Sequence, residues 1–282
     1  MREQTFTRLA RKHSIQTEVR DMSVPGGSIQ VLRFSIDEHR GQAAGIVFVP
    51  GWASTPYTWR YFLPPLVATT PVSYVETREK SSSRLTNPRQ QSVTDQVDDI
   101  RRAIEASAIE RPVIVGASTG ANLVLELLLT APNCCQAFAL LAPHLDVPVP
   151  SWLSLFARLP DPMTAPMKKL AVLTLKLHRP RRFEEDQYEG LVAAASSAQL
   201  RKLGASAAAW AGHQVRLPAL NREISGVVVG SASDSFHNRD GAQEIARRMA
   251  PTTSYFEVAN FTALHASSTA TLIAREFLGL AA

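Results

Sequence analysis

The stretch Val-Ile-Val-Gly-Ala-Ser-Thr-Gly-Ala-Asn-Leu-Val-Leu-Glu-Leu-Leu, residues 113–128, restricts the folds open to this chain more than any other. Val113, Ile114 and Val115 are β-branched and predict a short buried strand. From Thr119 to Leu129 the residues predict an apolar helix. The change of period falls within Gly116-Ala117-Ser118-Thr119-Gly120, which fits the pattern G-x-S-x-G. A side chain at Gly116 or Gly120 would meet the strand or the helix. Glycine therefore permits a turn sharp enough to lift the Ser118 hydroxyl clear of the sheet. The next amide, that of Thr119, stands at a helix N-terminus, where unpaired N–H groups favour an anion. A merely structural turn serine is the competing explanation.

The rest of the chain repeats the rhythm. Residues 15–36 alternate around Pro25-Gly26-Gly27 and predict a β-hairpin. The run Ala-Ala-Gly-Ile-Val-Phe-Val-Pro-Gly-Trp, residues 43–52, ends a buried strand in Pro50-Gly51. Short strands are also predicted around residues 71–79, 112–118, 137–143, 224–234 and 253–260. Val93, Val97, Ile100 and Ile104 share one face of a helix. Strands alternating with helices predict an α/β fold with a mostly parallel sheet, helices on both faces and the hairpin as an antiparallel edge. The rhythm breaks over 146–217, where proline stops separate helix-like pieces. The chain thus divides into 1–145 and 218–282, two parts of one core, with a helical insertion at 146–217 between them.

Composition narrows the function classes. A 282-residue chain that is 45% hydrophobic can bury a substantial core. Its net charge of +5 is mildly basic, but no zinc-finger spacing, aromatic RNA-binding motif or long basic run points to nucleic acid. No segment approaches the roughly 18 apolar residues of a membrane span. The N-terminal stretch lacks the apolar region of a secretory signal. The two cysteines, Cys134 and Cys135, are adjacent, at a Cα spacing of about 3.8 Å that is too close for an ordinary disulfide. A cytoplasmic setting is the expectation. No metal-ligand spacing and no phosphate loop occurs, so no cofactor and no metal is implied.

Three polar residues fall at strand ends, where open α/β sheets build their sites. Ser118 follows Val-Ile-Val, Asp234 follows Gly-Val-Val-Val-Gly, and His265 follows Tyr-Phe-Glu-Val and a short loop. With these in place the chain resembles the α/β-hydrolase fold family, from Gly-Ile-Val-Phe-Val-Pro-Gly-Trp to the last helix. The resemblance implies that Ser118 is the nucleophile, His265 the general base and Asp234 the acid that orients it. It implies an oxyanion hole from the backbone N–H groups of Trp52 and Thr119, with Gly116 and Gly120 as the elbow glycines. The insertion falls where the family carries a helical cap. Pro50 stands where relatives often have histidine, and Glu-Thr-Arg-Glu-Lys-Ser-Ser-Ser, residues 76–83, stands where many have a glycine-rich loop.

The expected activity is that of a serine esterase acting through an acyl-enzyme on a small, apolar ester or acyl substrate. An acyltransferase, thioesterase, C–C hydrolase or cofactor-free perhydrolase would use the same residues. A non-catalytic small-molecule receptor is the alternative of another class. Asp146 is the rival acid. His237 is expected to lie too close in sequence to Asp234 to be oriented by it. His178 and His213 are expected at the surface or in packing. Trp152, Leu153, Leu155, Phe156, Leu159, Met163, Met167 and Trp210 are expected to pack within the insertion, some of them facing substrate. The basic stretch at 168–182 is expected as a solvated face, with an anionic membrane as the alternative. Oligomeric state is not encoded in any recognisable pattern.

Overall fold

The computed structural model describes residues 10–11, 13–43, 45–89, 91–107, 109–178, 185–218, 224–234, 237–249 and 251–279. Its strands are β1 (Gln16–Val24), β2 (Gly27–Ser35), β3 (Ile46–Val49), β4 (Val72–Glu76), β5 (Arg84–Leu85), β6 (Val113–Ala117), β7 (Ala137–Leu141), β8 (Ser225–Ser233) and β9 (Thr253–Asn260). The helices are α1 (Leu63–Thr69), α2 (Val93–Ala106), α3 (Thr119–Thr130), α4 (Asp161–Leu177), α5 (Glu185–Ser197), α6 (Leu200–Trp210), α7 (Arg239–Arg248), α8 (Phe261–Leu264) and α9 (Ser267–Leu278). Among the described residues one sheet holds all the strands, in the order β1-β2-β4-β3-β6-β7-β8-β9, with β5 paired to β2. The pairs β1–β2 and β2–β4 are antiparallel, and every pair from β4–β3 to β8–β9 is parallel. This is the α/β fold that the alternating pattern predicts, with the hairpin at its antiparallel edge.

The central strands are apolar on both faces because both are covered. Ile46, Phe48, Val113, Val115, Ala139 and Leu141 pack with Leu66 of α1 and Ile273 of α9. Their neighbours Val47, Val49, Ile114, Phe138 and Leu140 pack on the other face with Ile100 of α2 and Leu125 of α3. The period-2 alternation of a strand sorts each residue to its side. Each large side chain removed from water in this way stabilises the fold by about 1.5–3 kcal/mol. Helix α2 begins at a capping box. The Ser92 hydroxyl accepts from the Asp95 amide at 3.0 Å, and the Asp95 carboxylate accepts from the Ser92 amide at 3.0 Å. Such a cap contributes about 1 kcal/mol.

Between β7 and β8 the described elements are all helical: a 3-10 turn at Leu153–Arg158, then α4, α5 and α6. The expectation that the apolar residues here pack together needs correcting. Trp152, Leu155, Met163 and Met167 are exposed, Phe156 and Leu159 are half-buried, and only Leu153 and Trp210 of the eight are buried. Helix α4 also exposes Leu170, Leu173 and Leu177 beside Lys169 and Lys176. Residues 179–182 of the basic stretch lie outside the described residues. Cys134 and Cys135 are free thiols. Among the described residues no helix is long and apolar enough to cross a membrane.

Candidate active site

Ser118 stands where β6 ends and α3 begins, at φ 53° and ψ −124°. A positive φ is uncommon for a residue with a side chain and costs about 1–3 kcal/mol unless the surroundings impose it. Here they do. The Ser118 amide donates to the Leu141 carbonyl at 2.8 Å, and its carbonyl accepts from the Ala121 and Asn122 amides. Gly116 and Gly120 make the turn possible. A Cβ on Gly116 would lie 2.7 Å from the Ala121 Cα, and one on Gly120 would run into the carbonyl oxygens of Val49 and Pro50. Ala53 and Ala142 also have positive φ, so three of the four non-glycine cases among the described residues adjoin the carboxyl ends of β3, β6 and β7.

Those strand ends open into a cavity of about 260 Å³. Ser118, Trp52, Thr119, His144, His237 and His265 all line it. Its apolar wall comes from Trp59, Leu141, Val147, Leu191, Phe261 and Leu264. From residues 146–217 it takes Val147 and Pro148 near the start, and Gln187, Gly190, Leu191 and Ala194 of α5, but none of the eight apolar residues singled out in the sequence. Among the described residues the buried Gln187 Nε2 has no hydrogen-bond partner. Arg60 holds α5 over the cavity: it is buried, and its guanidinium donates to Asp186 at 2.6 Å and to Glu189 at 3.0 Å.

The loop after β3 reaches the start of α3. The Trp52 amide donates to the Thr119 hydroxyl at 3.0 Å, and the Trp52 indole donates to the Ser206 hydroxyl of α6 at 3.0 Å. The Trp59 indole and the Tyr74 hydroxyl both donate to Ser54, at 2.8 and 3.3 Å, which fixes the far side of the loop. The Trp52 N–H, the donor expected after Pro50-Gly51, is taken up by the Thr119 hydroxyl.

His265 lies between two rings, with centroids 4.2 Å from Trp59 and 4.1 Å from Phe261. Its Nδ1 is 2.9 Å from the Phe261 carbonyl. A carbonyl can only accept, so Nδ1 carries the proton and Nε2 keeps its lone pair. Burial pushes His265 down to about 4; the Phe261 carbonyl opposes this, the neighbouring His237 and Arg60 lower it further, and the Asp234 charge raises it. The ring is therefore neutral near pH 7.

Asp234 departs from expectation. Its buried carboxylate bonds Nδ1 of His237 at 2.6 Å. The expectation that His237 lies too close in sequence to Asp234 to be oriented by it is overturned by this contact between side chains three residues apart. Next to this pair His144 stacks on His237 with centroids 5.1 Å apart, and burial foremost pushes it down to about 3. Sequence reasoning assigned neither His144 nor His237 to the site; only their positions after strand ends could have indicated it. Asp146 is exposed and does not line the cavity. His213 packs against Glu126 at 2.9 Å, and His178 is exposed, both as expected. Among the described residues no cluster of His, Cys, Asp and Glu could hold a metal.

A model of the alpha/beta hydrolase family matches residues 46–265, the span from β3 to the His265 turn. The chain belongs to that family. No curated protein sequence matches it. Solved structures agree on the fold. Carboxylesterase CesB from Bacillus subtilis is 12% identical, with a TM-score of 0.65, over 99% of this chain and 96% of that one. A hydrolase from Pseudomonas aeruginosa PA01 is 18% identical, with a TM-score of 0.71, over 93% and 99%. The enol-lactonase from Burkholderia xenovorans LB400 is 17% identical, with a TM-score of 0.70, over 92% and 98%.

Proposed function

We propose that this member of the family is a serine hydrolase that cleaves a small carboxylic ester through an acyl-enzyme. The observation that carries the proposal is the forced backbone of Ser118, at φ 53° and ψ −124°, on the wall of a cavity it shares with the neutral ring of His265. Strain imposed at one hydroxyl in a cavity is a feature of functional positions.

In this mechanism Ser118 attacks the acyl carbon and His265 Nε2 takes its proton. The oxygen that becomes negative is held by the Trp52 and Thr119 amides, and the Trp52 N–H leaves the Thr119 hydroxyl to do so. Each such donor is worth about 2.7–4 kcal/mol in the transition state. The proton passes from His265 to the departing alcohol. Water activated by His265 then releases the acid. Asp234 is the acid of the set: its negative charge favours the imidazolium of His265, the direction in which it shifts that ring.

Residues 146–217 act as a cap over a continuous core made of 1–145 and 218–282. Arg60 clamps that cap through α5, and Leu191 and Ala194 of α5 supply part of the acyl wall. A cavity of about 260 Å³ sits just under the roughly 300–1,000 Å³ of drug-sized ligand sites, which favours short acyl groups. The Gln187 amide offers a hydrogen bond to a polar atom of the substrate. Carboxylesterase and lactonase are the printed activities of two similar folds. Steady-state hydrolysis of p-nitrophenyl esters of increasing acyl length tests the proposal. Activity that is highest for short chains and absent in Ser118→Ala supports it, and no turnover of any ester or thioester contradicts it.

A further inference from the structure

We propose that Lys80 is a positioning residue for acyl transfer: its ammonium group fixes and polarises the Gly51–Trp52 peptide so that the Trp52 N–H faces the oxyanion. The proposal rests on the serine-hydrolase reading above. Lys80 lies in the Glu-Thr-Arg-Glu-Lys-Ser-Ser-Ser segment, where the sequence departs from a glycine-rich loop. Its side chain is only 3% exposed, yet it is not simply buried bulk. Nζ donates to the Gly51 carbonyl at 2.5 Å and lies 3.0 Å from the carboxylate of the equally buried Glu79. Desolvating an ammonium group is costly, and the adjacent carboxylate offsets part of that cost.

The Gly51 carbonyl and the Trp52 N–H belong to one peptide unit. In a trans peptide these two groups point in opposite directions. Pinning the oxygen on Lys80 therefore aims the N–H the other way, to the start of α3, where it meets the Thr119 hydroxyl at 3.0 Å. The Ser54 amide adds a second, longer bond to the same carbonyl, at 3.2 Å.

A cation on a carbonyl oxygen does more than hold it. It withdraws electron density through the amide and makes the N–H a stronger donor, as hydrogen bonds in series polarise one another. A full negative charge gains more from that donor than a neutral ester carbonyl does. The benefit therefore falls on the transition state, and thus on kcat rather than on KM. The helical segment supports the same loop from above. Lys202 of α6 is buried and donates to the carbonyls of Lys80, at 3.2 Å, and Ser83.

Lys80→Met removes the charge and keeps the length of the chain. Its expected effect on p-nitrophenyl acetate is a fall in kcat of about 10- to 100-fold, less than the loss of a whole donor. KM should change by less than about twofold. A trifluoromethyl ketone, which forms a hemiketal with Ser118, should lose affinity by the same factor as kcat. A labelled wild type with unchanged kcat in Lys80→Met, or a change confined to KM, overturns the role of Lys80 alone. A folded wild type that no fluorophosphonate labels overturns the serine-hydrolase reading instead. Should circular dichroism show Lys80→Met unfolded, the wild type decides. A scalar coupling between the Lys80 ¹⁵Nζ and the Gly51 carbonyl ¹³C is expected across the hydrogen bond, and its absence overturns the proposal.

Discussion

The carboxylate of Asp234 is bonded to His237, 2.6 Å from its Nδ1, while His265 is anchored by the Phe261 carbonyl at 2.9 Å. Both imidazoles line the cavity with Ser118, but only that of His237 bonds the acid. The account gives proton transfer to His265, whose free Nε2 and neutral ring suit a base. His265→Gln is expected to lower kcat by about 10⁴-fold, the scale on which triad members act. Asp234→Asn should cost about 10²-fold or more, and Asp146→Asn, altering an exposed side chain, nothing measurable. Single-turnover kinetics on the purified variants checks this. A loss in His237→Gln as large as that in His265→Gln transfers the base to His237.

The rings also set a pH dependence. Burial brings His265 down to about 4 and His144 down to about 3, from an ordinary value of 6.5. Below 6.5 the unfolded chain takes up protons at these positions that the folded chain refuses. The unfolded state then binds more protons, so stability falls as pH drops through this window. Thermal unfolding followed from pH 7.5 down to 4.5, roughly the span of this titration, should show a declining Tm. His144→Gln should flatten the decline, and an unchanged slope in that variant speaks against a buried neutral ring.

The same shift governs catalysis. Protonated His265 cannot accept the serine proton, so the acid limb of kcat/KM is expected below 6.5 and toward about 4. A limb at or above 6.5 in the measured profile would mean that Asp234 leaves His237 and pairs with His265 in the working enzyme.

Two glycines should respond oppositely to alanine. At Gly120 the added methyl has no space against the Val49 and Pro50 carbonyls, and backbone must move. A destabilisation of several kcal/mol, at or beyond the roughly 1–3 kcal/mol usual for overpacking, is expected together with lost activity. At Gly190, within α5, the nearest atom would be the Thr58 methyl at an ordinary 3.6 Å. There alanine should stabilise by about 0.5–1 kcal/mol through helix propensity, and by narrowing the cavity it should favour shorter acyl chains. Denaturant unfolding and the ester series read both effects.

Much of this was legible in the residues alone. Continuous apolar runs such as Ile46–Val49 and Val113–Ala117 can be buried only between two helical layers, so the parallel core followed from pattern. Gly116 and Gly120 marked the turn because no side chain fits there. What stayed hidden depended on through-space contacts. The pairing of Asp234 with His237 is a side-chain contact that no periodicity encodes. Lys80 reads as an ordinary surface charge until the fold places it under Gly51. Helix α4 has an apolar stripe like that of a packed helix, and only the structure shows that Leu170, Leu173 and Leu177 remain exposed.

With Ser118 proposed as the nucleophile, a fluorophosphonate probe followed by intact-mass and peptide mapping is the decisive measurement. The account predicts one phosphonyl group on the folded wild type, located in the peptide bearing Ser118, and none on folded Ser118→Ala. An unlabelled wild type, or equal labelling of the two proteins, would contradict it.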